Sequence, residues 1–204
     1  MSDYRQFLLD IDQQLNFCFV DASAKSLGDA NFITRKGLNF EPASERKIPM
    51  AGYKPTSQRQ ACNYIFHTAF CGSTMLSRAL HAAPEVVALK EPNILLELSV
   101  ASLRWPHDSF SRYLEIALTE ITQPWHTNGQ VLIKPTNSCN RNVAEICRNS
   151  RDDRFVFMYS SLEEFLVSCL KKMPQAQVQL NLMARHLLPG SALEKACEIP
   201  RNID

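Results

Sequence analysis

The chain has no excess of charge of either sign. Its 204 residues carry 22 Lys and Arg against 21 Asp and Glu, a formal net charge of +1. A protein that binds nucleic acid through a general basic field has a clear positive balance. The basic residues of positions 141–154 are also interleaved with acidic ones, which is typical of a solvated helix and turn. We therefore expect no nucleic-acid partner.

Paired cysteines and long apolar runs are absent as well. None of the seven cysteines forms a C-x-x-C pair, and several lie in apolar runs. They predict buried thiols in a reducing compartment and argue against a disulfide framework or a zinc site. No apolar stretch approaches the roughly 20 residues of a membrane helix, and no signal-peptide core is visible at the N-terminus. These features predict a cytoplasmic protein with no membrane partner and no metal.

The length and a hydrophobic content of 45% predict a single globular domain over residues 1–204. Residues 1–60 are expected to form a largely irregular lead-in, with a short helix in 4–15 and a strand at 17–20. After that, strands are expected at 63–67, 86–89, 130–134 and 154–159. Helices are expected at 74–82, 93–103, 109–122, 142–149, 161–172 and 177–188. This alternation predicts an α/β fold with a mainly parallel sheet flanked by helices in three layers.

The most informative segment covers residues 63–80. A short apolar run ends at small and polar residues, and apolar residues return at helical spacing from Met75. A strand, a tight turn and a helix direct the unpaired N–H groups of the first helical turn at one point, which attracts phosphate or sulfate. Gly72 allows close approach of the backbone, and Ser73 and Thr74 add hydroxyl donors.

Two familiar anion loops fit this segment poorly. An ATP or GTP loop requires G-x-x-x-x-G-K-[ST], but His67 stands at the first Gly and Ser73 at the Lys. A cysteine phosphatase needs Arg six positions after its nucleophile, whereas Cys71 has Arg78 one position late and therefore on the wrong side of the first turn. An ordinary strand-to-helix turn without a ligand is the other alternative.

The segment resembles the phosphosulfate loop of the sulfotransferases, which reads approximately Pro-[Lys/Arg]-Ser-Gly-Thr-Thr before a helix. Residues 71–76, Cys-Gly-Ser-Thr-Met-Leu, match its Ser-Gly-Thr-Thr-x-Leu half. Ala69 replaces the Pro, and Phe70 replaces the basic residue. The resemblance implies a P-loop-type fold and binding of 3′-phosphoadenylyl sulfate (PAPS). The residues that would contact its 5′-phosphosulfate are Cys71, Gly72, Ser73 and Thr74.

Catalytic candidates follow from the same resemblance. Family members often carry an acidic residue at the end of the second strand, and Glu91 holds that position as the candidate general base. Lys134 ends a later strand before a Pro, as in some family branches, and would supply the positive charge that is missing at Phe70. His67 is a second candidate for the proton acceptor. The alternatives are solvated surface charges for Glu91 and Lys134 and a structural role for His67.

Residues 154–172 resemble the family segment that binds the 3′-phosphate. Ser168 fits the family serine, but Ser160 stands where the family has Arg. Lys171, Lys172 and Arg78 are possible substitutes for that cation.

The same residues also predict a capping box, formed by Ser160 or Ser161 with Glu163 or Glu164, at the start of an amphipathic helix. The core-facing stripe of this helix would consist of Leu162, Phe165, Leu166, Cys169 and Leu170.

The resemblance covers residues 60–172 and implies transfer of a sulfuryl group from PAPS to a hydroxyl or amine of a small-molecule acceptor. A divergent P-loop kinase or NTPase is one alternative, and a non-catalytic nucleotide-binding descendant is another. Nothing after Pro189 resembles the loop with which the family closes on the nucleotide. A short variant and a truncated chain are therefore both open, and the sequence indicates neither the acceptor nor the oligomeric state.

Overall fold

The computed structural model describes residues 4–148 and 152–191. The strands in these residues are β1 Arg5–Ile11, β2 Asn16–Ala22, β3 Arg46–Pro49, β4 Asn63–His67, β5 Val86–Lys90, β6 Gln130–Lys134 and β7 Arg154–Met158. The α-helices are α1 Ala24–Asp29, α2 Ser73–His81, α3 Asn93–Ala101, α4 His107–Ile121, α5 Val143–Arg148, α6 Leu162–Lys171 and α7 Gln175–Leu187. Short 3-10 helices cover Pro42–Ser44 and Asn137–Asn142.

A four-stranded parallel sheet flanked by helices forms the centre of the fold. Its strand order is β5-β6-β4-β7, and every neighbouring pair is parallel. The three residues between Gln130 and Lys134 are buried without alternation, as expected for a strand that is covered on both faces. The predicted α/β class and its four strands are therefore confirmed. The predicted helices also occur, although position 149, the expected end of one of them, lies outside the described residues.

The strand order creates a crevice at the carboxyl edge of this sheet. The connection that leaves β4 passes β6 to reach β5, whereas the connection that leaves β6 passes β4 to reach β7. The chain therefore leaves two adjacent strands in opposite directions. In open α/β sheets, ligands bind at such a point.

The prediction for residues 1–60 was wrong in part. The expected helix in 4–15 is instead β1, which belongs to the antiparallel sheet β1-β2-β3, while the strand expected at 17–20 is confirmed within β2. Asp12 makes the turn between them, because its carboxylate accepts hydrogen bonds from the backbone N–H groups of Gln14 and Asn16. The hairpin then packs on α3 and α4.

The expected core stripe of α6 was also wrong in part. Cys169 is buried and Phe165 is half-buried, but Leu162, Leu166 and Leu170 are exposed. The helix turns Phe165 toward Phe70, with ring centroids 6.0 Å apart, and this orientation leaves the leucines on the outer face.

The cysteines behave largely as expected. Cys18, Cys62, Cys139 and Cys169 are buried free thiols, and Cys197 lies outside the described residues. Burial raises the pKa of Cys62 and Cys139 to about 12, so these thiols are protonated at neutral pH. In the described part of the chain, no helix has the length and apolar character needed to span a membrane.

Candidate functional site

The loop of residues 69–74 joins β4 to α2 at the crevice and presents unpaired backbone donors. Phe70 and Gly72 have φ angles of +61° and +83°. No backbone N–H of residues 69–74 donates to an acceptor within the described part of the chain. Left-handed residues that alternate with ordinary ones make a concave set of N–H groups, and the positive end of the helix dipole lies beside it. This arrangement can bind an anion.

Contacts on both sides hold the loop in place. The Thr68 N–H donates to the Met158 carbonyl at 3.0 Å, which ties the end of β4 to β7. The Asn140 side-chain amide donates to the His67 carbonyl at 2.9 Å. The Cys71 thiol donates to the Thr68 carbonyl at 3.0 Å. These contacts support the loop at its start and at the Cys71 side chain.

A pocket of about 840 Å³ opens above this loop. It brings together most of the site residues predicted from the sequence, namely His67, Cys71, Gly72, Ser73, Thr74, Glu91 and Lys134. These residues lie in three segments that are distant in sequence, at the carboxyl ends of β4, β5 and β6. The strand order therefore assembles them.

Glu91 and Lys134 form an ion pair in this pocket. The Lys134 Nζ lies 2.5 Å from Glu91 Oε1, and the Glu91 N–H donates to the Lys134 carbonyl at 2.7 Å. Glu91 has a φ angle of +50°, a strained value for a residue other than glycine. No partner in the described residues bonds Glu91 Oε2. The free oxygen can accept a proton while the other stays bound to Lys134.

His67 is buried, and its ring is confined between two backbone carbonyls. Nδ1 lies 2.9 Å from the Thr68 oxygen and Nε2 lies 3.0 Å from the Pro135 oxygen. Burial, and then the charge of Lys134, lower the pKa of His67 below its usual range. Since both ring nitrogens already face protein acceptors, this geometry favours a structural role. The proposed catalytic role of His67 stays a prediction.

Further polar groups line the pocket from segments that the resemblance did not assign to it. Lys172 Nζ lies 4.5 Å from the centroid of the Phe70 ring, so a cation stands over the position where the family has a basic residue. Arg78 also lines the pocket, and its guanidinium donates to the Asn31 side chain. From the sequence, both are possible contacts to a 3′-phosphate.

Asn137 was missed as a site residue. Its side chain is buried in the pocket wall, and its Nδ2 has no hydrogen-bond partner among the described residues. Its Oδ1 accepts a hydrogen bond from Gln179 at 3.2 Å. The signal that could have identified it is its position, three residues after the strand-end Lys134, at the same sheet edge.

Ser160 and Ser168 are not brought to this pocket. The Ser160 hydroxyl is buried just after β7 and has no hydrogen-bond partner among the described residues. Ser168 is half-buried on α6. The capping box is made by Ser161 and Glu164, each side chain bonding the other's backbone N–H. The 3′-phosphate of PAPS lies on the ribose, away from the 5′-phosphosulfate, so the contacts of Ser160 and Ser168 to it stay a prediction.

A second cavity, of about 750 Å³, lies on another side of the molecule. Its charged side chains are largely paired with protein groups. Lys25 bonds Asp29 at 2.6 Å, and the Arg5 guanidinium stacks 3.7 Å above the centroid of the Trp125 ring. This cavity therefore offers less to an anion than the pocket above the 69–74 loop.

Comparison of the chain with protein-family models, with curated proteins and with solved structures finds no match.

Proposed function

We propose that this pocket binds the 5′-phosphosulfate end of PAPS and that the protein transfers the sulfuryl group to a hydroxyl or amine of a small-molecule acceptor. The observation that carries the proposal is the run of unpaired backbone N–H groups along residues 69–74. The first N–H groups of any helix lack intrahelical partners, but here the run of unpaired donors extends back through the loop to Ala69, and a set of donors of this kind can bind an anion. A P-loop-type fold is part of the same proposal.

The charges around the loop support a ligand with several negative charges. Lys134, Lys172 and Arg78 line the pocket, whereas Glu91 is the one carboxylate among the described residues that line it. The unpaired Asn137 Nδ2 adds a neutral donor. Excess positive charge and fixed donors are what a phosphosulfate requires.

Two residues would carry the chemistry. PAPS supplies an activated sulfuryl group, so the protein's task is mostly positioning and charge stabilisation. Glu91 Oε2 would accept the proton from the attacking hydroxyl or amine as the new bond to sulfur forms. Lys134 and the loop N–H groups would stabilise the charge that builds on the departing phosphate oxygen. The products are the sulfated acceptor and adenosine 3′,5′-bisphosphate.

The kinase or NTPase alternative is less well supported. Those enzymes hold magnesium with one or two carboxylates beside the phosphates. Glu91, the carboxylate available here, is already paired with a buried lysine. The non-catalytic alternative shares the anion loop and differs only in turnover.

Thermal melts with three ligands test the proposal. Adenosine 3′,5′-bisphosphate is expected to raise the melting temperature, and at about 100 times its dissociation constant it adds about 2.7 kcal/mol of stability. ATP with magnesium and inorganic sulfate are the comparison ligands. A shift with ATP and magnesium alone would support the kinase alternative. No shift with any ligand would overturn the proposal.

A pair of glycine variants tests whether the rise in melting temperature depends on the 69–74 loop. Gly72 and Gly52 have φ angles of +83° and +79°, and a Cβ added at either would meet nothing within 4 Å. Alanine at either position therefore costs similar backbone strain, about 1–2 kcal/mol. Gly72→Ala is expected to weaken binding of the bisphosphate, while Gly52→Ala, outside the pocket, leaves it unchanged. Equal effects would contradict a role of the 69–74 loop.

A further inference from the structure

The segment between α1 and β3 forms part of the pocket wall near Glu91. The Ile33 N–H donates to the Lys90 carbonyl at 2.8 Å, and the Ile33 carbonyl accepts a hydrogen bond from the Asn93 N–H at 2.9 Å. Ile33 is buried, and its two partners stand on either side of Glu91 in the sequence. The preceding residue, Phe32, lines the pocket and is 46% exposed. The segment therefore holds an aromatic ring near the proposed base.

The helix α2 completes this part of the wall. Met75 and Arg78 both line the pocket, and their spacing of three residues makes them neighbours on the helix surface. The Arg78 guanidinium donates to the side-chain oxygen of Asn31, the residue before Phe32. Met75 is 76% exposed. Phe32, Met75 and Arg78 thus form one surface, the acceptor wall, which combines two apolar side chains with a cation.

The positive charge of the acceptor wall has no acidic partner. Within the described residues, Arg78 bonds the neutral side chain of Asn31 and forms no salt bridge. The buried Lys90 ammonium donates to the Gly28 carbonyl and forms no salt bridge in the described part of the chain either. Burial, and then the charge of Arg78, lower the pKa of Lys90. A guanidinium in such surroundings can bind a carboxylate through two parallel hydrogen bonds.

The amide side chains of the pocket belong to other segments. Asn137 follows β6, and its Oδ1 accepts a hydrogen bond from Gln179 of α7. A sugar or another polyol needs several hydrogen-bonding side chains, whereas Arg78 is the one polar member of the acceptor wall. A flat ring suits this wall better, because Phe32 can pack against an aromatic ring and the Met75 sulfur makes favourable contacts with one.

We propose that the acceptor is an aromatic hydroxy acid whose ring packs on Phe32 and Met75 and whose carboxylate binds Arg78. This inference rests on the proposed function, in which Glu91 receives the proton of the acceptor. The phenolic oxygen forms the new bond to sulfur, its proton passes to Glu91 Oε2, and the bond between sulfur and the phosphate oxygen of PAPS breaks. Phe32 and Arg78 then determine the specificity for the acceptor.

Calorimetric titration of the protein saturated with adenosine 3′,5′-bisphosphate tests this proposal. The probes are para-hydroxybenzoate, its neutral analogue para-hydroxybenzamide and the polyol inositol. We expect the benzoate to bind about tenfold more tightly than the benzamide, because its carboxylate contacts Arg78, and we expect no binding of inositol. Equal affinities for the two aromatic probes, or inositol binding as tight as that of the benzoate, would overturn the proposal.

Two variants test whether the probes bind at the acceptor wall. Arg78→Gln should make the affinities for the benzoate and the benzamide equal, and their ratio is independent of any effect on nucleotide binding. Phe32→Ala should weaken binding of both aromatic probes by about tenfold. Phe157→Ala, at another half-exposed phenylalanine outside the pocket, is the control and should change neither affinity. Unchanged affinities in Phe32→Ala would refute the role of this ring.

A titration with the bisphosphate alone distinguishes failure of this inference from failure of the proposed function. If the bisphosphate binds and neither aromatic probe does, the class of acceptor is wrong and the proposed function stands. If the bisphosphate does not bind, the proposed function is wrong, and the inference about the acceptor is overturned with it.

Discussion

Lys134 and Glu91 meet across the carboxyl edge of the parallel sheet, with Nζ 2.5 Å from Oε1, and they are buried to different degrees. The Lys134 side chain is 1% exposed and that of Glu91 is 25% exposed. Water can therefore solvate the carboxylate far better than the ammonium. The pair is asymmetric, and the asymmetry has a measurable effect on stability.

The first prediction concerns the free energy of unfolding. Glu91→Gln leaves a buried cation without a counter-charge and should cost about 3 kcal/mol. Lys134→Met leaves a carboxylate that water can solvate and should cost about 1 kcal/mol. The double variant should resemble Lys134→Met alone, because the stranded charge is gone. Urea unfolding of the four proteins measures these values, and equal costs for the two single variants would contradict the asymmetry.

The second prediction concerns turnover. If Glu91 accepts the proton of the acceptor, Glu91→Gln should lower kcat by about 10²–10⁴-fold and should not weaken binding of adenosine 3′,5′-bisphosphate. Loss of nucleotide binding in this variant would argue against a base role. Glu85→Gln, at an exposed glutamate outside the pocket, is the matched control. In the same assay, unchanged turnover in Lys134→Ala would remove Lys134 from the mechanism.

The parallel sheet could be predicted because its strands are continuous apolar runs separated by helices, a pattern that few other folds produce. The N-terminal hairpin could not, since three consecutive buried residues, Phe7, Leu8 and Leu9, suit a covered strand or a buried helix equally well. The turn at Asp12 pairs this segment with β2, and the segment is therefore a strand. The predicted burial of the α6 leucines was wrong for another reason. Spacing shows which residues share a face of a helix, but not whether another element lies against that face.

Two pocket residues could be predicted from their places at strand ends, since Glu91 directly follows β5 and Lys134 is the last residue of β6. Lys172 and Asn137 could not be assigned to the pocket, because their approach to the 69–74 loop depends on strand order and on the position of α6. No local sequence pattern indicates the strand order or the position of α6. Ser160 and Ser168 do not line this pocket, and their contacts to a 3′-phosphate stay a prediction.

The third prediction concerns the cation above Phe70. Lys172→Gln removes a charge that lies 4.5 Å from the Phe70 ring centroid and lines the pocket. We expect the affinity for adenosine 3′,5′-bisphosphate to fall about tenfold, which corresponds to about 1.4 kcal/mol. The salt dependence of binding should also become weaker. Calorimetric titration at two ionic strengths measures both, with Lys36→Gln as the control at an exposed lysine outside the pocket. The same loss of affinity in both variants would indicate a general charge effect and contradict a local role of Lys172.

The fourth prediction concerns the pH dependence of stability. Burial and then Lys134 lower the pKa of His67 below its ordinary value of 6.5. Below pH 6.5 the unfolded chain therefore binds a proton that the folded protein binds less readily, and the free energy of unfolding falls as the pH drops toward the folded pKa. The loss is at most about 1.4 kcal/mol per pH unit for this one group.

His67→Gln removes this contribution, so its stability should fall less than that of the wild type between about pH 7 and about pH 5.5. His186 is a second histidine whose pKa is lowered by burial. His186→Gln measures the separate contribution of His186 to the pH dependence of the free energy of unfolding. Urea unfolding at several pH values measures the slopes. If His67→Gln and the wild type lose stability in parallel over this range, His67 is not held neutral by its buried position beside Lys134.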